Sequence, residues 1–210
     1  MSFKLAFIGA GSLVFARTLF TDIMSVPEFR DIEIAFTDIN KSNLDKVTGL
    51  CQRDLEANGI KTKITATTDR REAFKNARYI VNCVRVGGLE GFETDIDIPL
   101  KYGVDQCVGD TLCIGGIMYG QRVIPAVLDF CKDIREVAEK NAILLNYSNP
   151  NAMVTWACNK YGGEHFVRHV GNLLHRTNSL RSLLGSARRL KSLPSRGIYP
   201  GTSGKFSTRF

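Results

Sequence analysis

The sequence contains no run of 18 apolar residues, which excludes a membrane-spanning helix of ordinary length. It contains no CxxC pair, so its six cysteines (Cys51, Cys83, Cys107, Cys113, Cys131 and Cys158) spell no zinc motif. In a cytoplasmic chain they read as reduced, small apolar side chains, with Cys107 and Cys113 falling in a loop. Histidine is missing from the first 163 residues: the three that exist are His165, His169 and His175. The opening stretch, Met1 to Ile8, carries one lysine and a short apolar run that ends at glycines. That is too short for a signal-peptide core, so it reads as a first buried strand in a cytoplasmic chain.

Acidic residues are scarce in one segment only. From Glu164 to Phe210 there are nine Lys or Arg and a single carboxylate, a net charge of +8. The whole chain carries +7, which leaves the first 163 residues at −1. The composition divides the chain into a nearly neutral domain, 1–163, and a basic tail, 164–210. The tail has few aromatics (Phe166, Tyr199, Phe206 and Phe210) to interleave with its charge. It is therefore not read as a nucleic-acid site; salt-dependent binding lost on removing the tail would mark that alternative.

What is present is an alternation of strand and helix patterns. Lys4 to Ile8 reads as a strand and Leu13 to Ile23 as an amphipathic helix. Strand Ile32–Thr37 follows, then a helix from Lys41 to Ala57 with Gly59 as its stop, and strand Lys63–Thr67. Arg70 to Asn76 reads as a helical turn or two and Tyr79 to Val84 as a strand, with a polar loop from Arg85 to Gly91. Helices are expected at Phe92–Tyr102 and, after the pair Gly115-Gly116, at Tyr119–Lys140, with Pro125 a candidate kink. Strand Ala142–Asn146 and helix Asn151–Tyr161 complete the domain, and a helix at 180–190 is expected in the tail. This alternation implies parallel strands with right-handed crossovers: an α/β, Rossmann-like doubly wound sheet.

The first strand runs into Gly9-Ala10-Gly11-Ser12 and then a helix. A dinucleotide's pyrophosphate needs backbone without a Cβ and free N–H groups at a helix N-terminus. Gly9 makes the turn, Gly11 permits the approach, and Ser12 can cap the helix or donate to phosphate. Val14 stands where the third glycine of GxGxxG would be, and a purely structural glycine turn is the alternative. Asp38 ends the second strand, 27 residues after Gly11, where a carboxylate can accept from the adenosine ribose hydroxyls and disfavour a 2′-phosphate; it selects NAD over NADP. Its alternative role is to cap the following helix. Asn82 and the loop Val86-Gly87-Gly88 lie at the end of the fourth strand, where such sheets bind ligands. Asn146-Tyr147-Ser148-Asn149-Pro150 follows the next strand likewise. Its amides suit a hydroxyl-rich ligand or, alternatively, satisfy their own turn.

Taken in order, GAGS, DIN, VGG, GDT with a following GG, and LNYSNP resemble glycoside hydrolase family 4, nearest its α-galactosidase branch, over about Phe3 to Gly163. The resemblance implies a lactate/malate dehydrogenase-like N-terminal domain and a glycosidase that uses NAD where most use two carboxylates. Hydride leaves C3 of the sugar, a divalent metal (Mn2+) polarises the ketone, a base takes the C2 proton, and the glycosidic bond is eliminated before water and hydride return. Carried over, Gly9, Gly11 and Ser12 would bind pyrophosphate, Asp38 the ribose, and Asn82 with Gly87 would flank the nucleotide. Asn146 would sit by the nicotinamide ribose, Asn149 would contact sugar hydroxyls, and Asp110 is a further candidate on the sugar side. A small-molecule sugar substrate and a homo-oligomer are also implied. An α-galacturonidase or α-glucosidase of the same family, or a lactate/malate-type 2-hydroxyacid dehydrogenase, are the alternatives; the last would accumulate NADH.

The tail departs from the family pattern. The family's metal-binding Cys and His blocks are expected just after residue 163, and the base further on; none is found, so metal ligands and catalytic groups are unassigned. The second domain reads as absent or truncated. The abrupt change to Arg, Ser, Leu and Gly reads as an out-of-frame or truncated continuation, and this chain is expected to turn over little.

Overall fold

The computed structural model describes residues 3–163 and the backbone of 167–169. The helix expected at 180–190, the remainder of the basic tail and the side chains of its three histidines lie outside the described residues.

Among the described residues six strands build one sheet: β1 (Lys4–Ile8), β2 (Glu33–Thr37), β3 (Lys63–Thr67), β4 (Ala77–Asn82), β5 (Ile143–Asn146) and β6 (Val167–His169). Their spatial order is β3-β2-β1-β4-β5-β6 and every pairing is parallel. This is the doubly wound order whose ligand crevice opens where the winding reverses, between β1 and β4. The helices are α1 (Phe15–Met24), α2 (Lys41–Ala57), α3 (Arg70–Phe74), α4 (Gly88–Lys101), α5 (Ile114–Val137) and α6 (Asn151–Tyr161).

Strand residues alternate between two cores, because successive side chains point to opposite faces. Leu5, Phe7, Ile34 and Phe36 pack beneath α1 and α2 with Phe20, Ile23, Leu44 and Val47. Ala6, Ile8, Ala35, Ile80 and Leu144 pack on the other face against Val123, Val127 and Ile134 of α5 and Val154 of α6. The first face is dense with rings: Phe36 meets Phe7 edge-on at 5.3 Å and Phe20 at 5.8 Å between centroids. Burial on both faces fits the nearly continuous apolar runs of β1 and β2.

Several boundaries move from those expected. α4 begins at Gly88, inside the stretch read as loop. α5 begins at Ile114, so Gly115 and Gly116 lie within the helix instead of before it. A Cβ at Gly115 would come 2.7 Å from the Asp95 carbonyl oxygen, and one at Gly116 2.8 Å from the Thr111 backbone. Gly115 therefore permits close packing on α4 and Gly116 on the preceding loop; neither breaks the helix. α5 continues through Pro125. Past the composition break, β6 pairs with β5 (Asn146 opposite His169) and adds a strand to the sheet.

Candidate functional site

At the end of β1 the chain turns at Gly9, whose φ is +83°. The Gly9 and Ala10 N–H groups both donate to the Thr37 carbonyl, at 3.0 and 3.1 Å, fastening the turn to the end of β2. A Cβ at Gly9 would lie 2.9 Å from the Cys83 and Val84 backbone, so the turn sits directly on the segment that leaves β4. The Gly11 N–H donates to Asp38 Oδ2 at 2.8 Å. Asp38 Oδ1 accepts from the Asn40 N–H at 2.8 Å. The α2 cap is Asn40, whose Oδ1 accepts from the Asn43 N–H at 3.0 Å, so the capping role considered for Asp38 falls to its neighbour. Ser12 Oγ accepts from the Phe15 N–H at 3.3 Å. The Leu13 and Val14 N–H groups, at the head of α1, donate to no acceptor among the described residues. Beside Asp38, Ile39 is wholly exposed.

On the other side of the crevice, Asn82 and Asn146 are fully buried at the ends of β4 and β5. Asn82 Nδ2 donates to Asn146 Oδ1 at 2.9 Å. Asn146 Nδ2 donates to Thr155 Oγ1 at 3.2 Å and to the Ser148 and Asn151 carbonyls. These amides are committed to protein partners and form the floor of the crevice. Gly87 (φ +91°) opens α4. Below the crevice, burial and the nearby Asp38 charge push the Cys83 thiol up to about 12.

A polar cluster stands at the crevice mouth. Asp110 Oδ2 accepts from Asn149 Nδ2 at 3.2 Å and from Arg85 Nη2 at 3.1 Å. The Arg85 guanidinium lies over the Phe92 ring at 4.8 Å and the Tyr119 ring at 5.1 Å. The two residues read as sugar-side candidates, Asn149 and Asp110, are thus brought together, 39 residues apart in sequence. Arg85, Tyr119 and Phe92 were missed: nothing in the spacing of an arginine in a loop and two aromatics on different helices signals that they stack.

Gly9 to Ser12 and Asp38 follow β1 and β2, and Arg85 and Asn149 follow β4 and β5, on either side of the winding reversal. Gly9, Gly11, Ser12 and Asp38 offer glycine backbone, a hydroxyl and a carboxylate, and Leu13 and Val14 offer uncommitted N–H groups, which together suit a dinucleotide. Asp110, Asn149 and Arg85 offer polar groups that suit a hydroxylated molecule. Among the described residues no group of three His, Cys, Asp or Glu side chains is arranged to hold a metal ion.

Residues 4–178 match the sequence model described as Family 4 glycosyl hydrolase. An α-galactosidase of Rhizobium meliloti (strain 1021) is 58% identical over 185 residues, covering 88% of this chain and 38% of that protein. The chain therefore spans about two fifths of the length of that relative. A crystal structure of the 6-phospho-β-glucosidase of Thermotoga maritima, with manganese, NAD+ and glucose-6-phosphate, superposes with a TM-score of 0.73 at 26% identity, over 87% of this chain and 44% of that one. Malate dehydrogenase from Naegleria fowleri superposes at 0.55 with 12% identity, over 91% of this chain and 52% of that one, a likeness of fold alone.

Proposed function

The chain belongs to glycosyl hydrolase family 4, and from that premise we propose that its described domain is the NAD-binding half of an NAD- and metal-dependent α-glycosidase acting on α-galactosides. The observation that carries the cofactor reading is Asp38 held at 2.8 Å from the Gly11 N–H. That bond places a carboxylate beside the glycine turn, where the ribose of a docked dinucleotide would lie. The residues fit the cofactor: the turn leaves no room for a Cβ at Gly9 or Gly11, and two helix N–H groups are uncommitted. Gly9, Gly11 and Ser12 would take the pyrophosphate, Asp38 the adenosine ribose, and Gly87 would border the nucleotide. Asn82 and Asn146 act by holding the ends of β4 and β5 in register below it. When bound, NAD supplies a reversible hydride acceptor.

Asn149 and Asp110 are the sugar-facing pair in this reading. Asp110 accepts from Asn149, Arg85 and the Thr111 hydroxyl, which leaves one lone pair of the carboxylate and the second Asn149 N–H for sugar hydroxyls. The α-galactoside assignment follows the 58% identity to the R. meliloti enzyme. Among the described residues no group of three His, Cys, Asp or Glu side chains could hold the divalent metal, and the chain itself is expected to turn over little. A cytoplasmic location and a homo-oligomeric parent enzyme belong to the same reading; among the described residues no helix is long and apolar enough to cross a membrane. Sequencing the gene tests whether the tail is an out-of-frame continuation; an unbroken reading frame through it would refute that reading.

Titration of the chain with NAD and with NADP by calorimetry tests the cofactor reading. Saturable NAD binding, with NADP weaker, is expected because Asp38 repels a 2′-phosphate. NADP binding as tightly as NAD would refute the role given to Asp38.

A further inference from the structure

Beneath the Gly87 turn lies an ion pair that the cofactor and sugar readings leave unused. Arg122 of α5 grips Asp95 of α4 through both guanidinium ends, with Nη1 to Oδ1 at 2.7 Å and Nη2 to Oδ2 at 2.5 Å. The Asp95 side chain is almost fully buried and that of Arg122 largely so. Arg122 also donates to the Gly91 carbonyl at 3.3 Å and the Met118 carbonyl at 3.4 Å. Its buried Nε has no hydrogen-bond partner among the described residues. That atom lies instead against the turn: a Cβ at Gly87 would be 3.1 Å from Nε, and one at Gly91 3.2 Å from Nη2.

The same guanidinium lies 5.7 Å from the Tyr119 ring centroid, and Arg85 lies over that ring at 5.1 Å. The Tyr119 hydroxyl donates to the Val84 carbonyl at 3.4 Å, which also accepts from Ser148 Oγ at 2.8 Å. A continuous set of contacts therefore leads from Asp95 through Arg122 and Tyr119 to the backbone just before Arg85, and on to Asp110 and Asn149.

We infer that Arg122, held by Asp95, is a positioning residue: it fixes the Gly87–Gly91 turn and, through Tyr119, the Arg85–Asp110–Asn149 cluster. Burying an ion pair is a poor source of stability, since a well-packed apolar pair often does as well or better. What the fork provides is a set of fixed directions toward Asp95, Gly91 and Met118 that neither a lysine nor an aliphatic side chain can reproduce. The inference that the turn serves NAD rests on the proposed function; the ordering of the turn does not.

The test compares Asp95→Leu/Arg122→Met and Arg122→Lys with the parent chain by thermal unfolding, amide hydrogen exchange and NAD calorimetry. The double variant is expected to keep its melting temperature while the amides of 85–91 exchange roughly tenfold faster and NAD binds roughly tenfold more weakly. If it fails to fold, Arg122→Lys gives the same reading, with smaller changes in the same direction. Unchanged exchange at 85–91 in a folded variant overturns the inference, whatever NAD does. Failure of the parent chain to bind NAD refutes the proposed function and leaves the exchange result to decide the positioning role.

Discussion

The carboxamides of Asn82 and Asn146 meet at 2.9 Å across the ends of β4 and β5, and neither residue is exposed. Removing one partner strands the other in the core, which costs about 1–3 kcal/mol. Asn82→Ala is expected to lower stability by that amount in chemical denaturation. A loss no larger than that of an exposed asparagine, such as Asn58→Ala, would mean the pair contributes nothing.

Gly9 and Gly59 both adopt left-handed backbone, with φ of +83° and +63°. They differ in surroundings: a Cβ at Gly59 meets open space, whereas one at Gly9 is 2.9 Å from the Cys83 and Val84 backbone. Gly59→Ala should therefore cost only the conformational strain, about 1–2 kcal/mol. Gly9→Ala should cost that and a further 1 kcal/mol or more, roughly, from forced backbone movement. Equal losses in parallel denaturation curves would show that the β1 turn is not packed against β4 as described.

Two thiols, Cys51 buried and Cys83 half-buried, should make the fold sensitive to alkali. Burial, and then the Asp54 charge, pushes Cys51 up to about 12, while burial and the Asp38 charge push Cys83 to about 12, from an ordinary 9.0. The folded state then holds protons that the unfolded chain gives up, so stability is fully present below pH 9 and is lost progressively between there and about 12. Denaturation midpoints should fall across that window, and Cys51→Ala with Cys83→Ala should flatten the slope. An unchanged slope in the double variant would assign the alkaline loss to other groups. At neutral pH, a thiol reagent should reach the exposed Cys107 and Cys113 before the buried Cys51, Cys131 and Cys158.

Much of this fold is written locally. α2, β1, β3 and α6 span the residues that periodicity and turn residues mark out, because each is bounded by a glycine, an Asn or Asp cap, or a proline. The starts of α4 and α5 are not legible, because Gly87-Gly88 and Gly115-Gly116 read as helix breakers. Here Gly115 and Gly116 are required where α5 approaches other backbone, a property of tertiary packing that no local pattern carries, while Gly87 and Gly88 supply the positive φ from which α4 starts. The site divides in the same way. The glycine turn and Asp38 are visible as a motif, and Asn149 with Asp110 through the family resemblance. The Arg122–Asp95 pair links α4 to α5, and the Arg85 stack depends on where Phe92 and Tyr119 fall in space. Asn82 and Asn146, conspicuous as amides, turn out to bind each other.

The chain spans 38% of the length of its R. meliloti relative, and its described residues hold no metal cluster. The purified 210-residue chain should show little or no hydrolysis of an aryl α-galactoside with NAD and Mn2+ supplied. Metal-dependent release of the aryl alcohol would contradict that expectation.

The central claim is that Asp38 and the Gly9–Ser12 turn form a dinucleotide site. Calorimetric titration of NAD into the parent chain and into Asp38→Ala, with circular dichroism confirming that both are folded, tests it most directly. The account predicts saturable binding to the parent chain and a weakening of about tenfold or more in the variant, from lost ribose contacts and a released Gly11 N–H. Equal NAD affinity in the two folded proteins, or no binding to the parent chain, would contradict it.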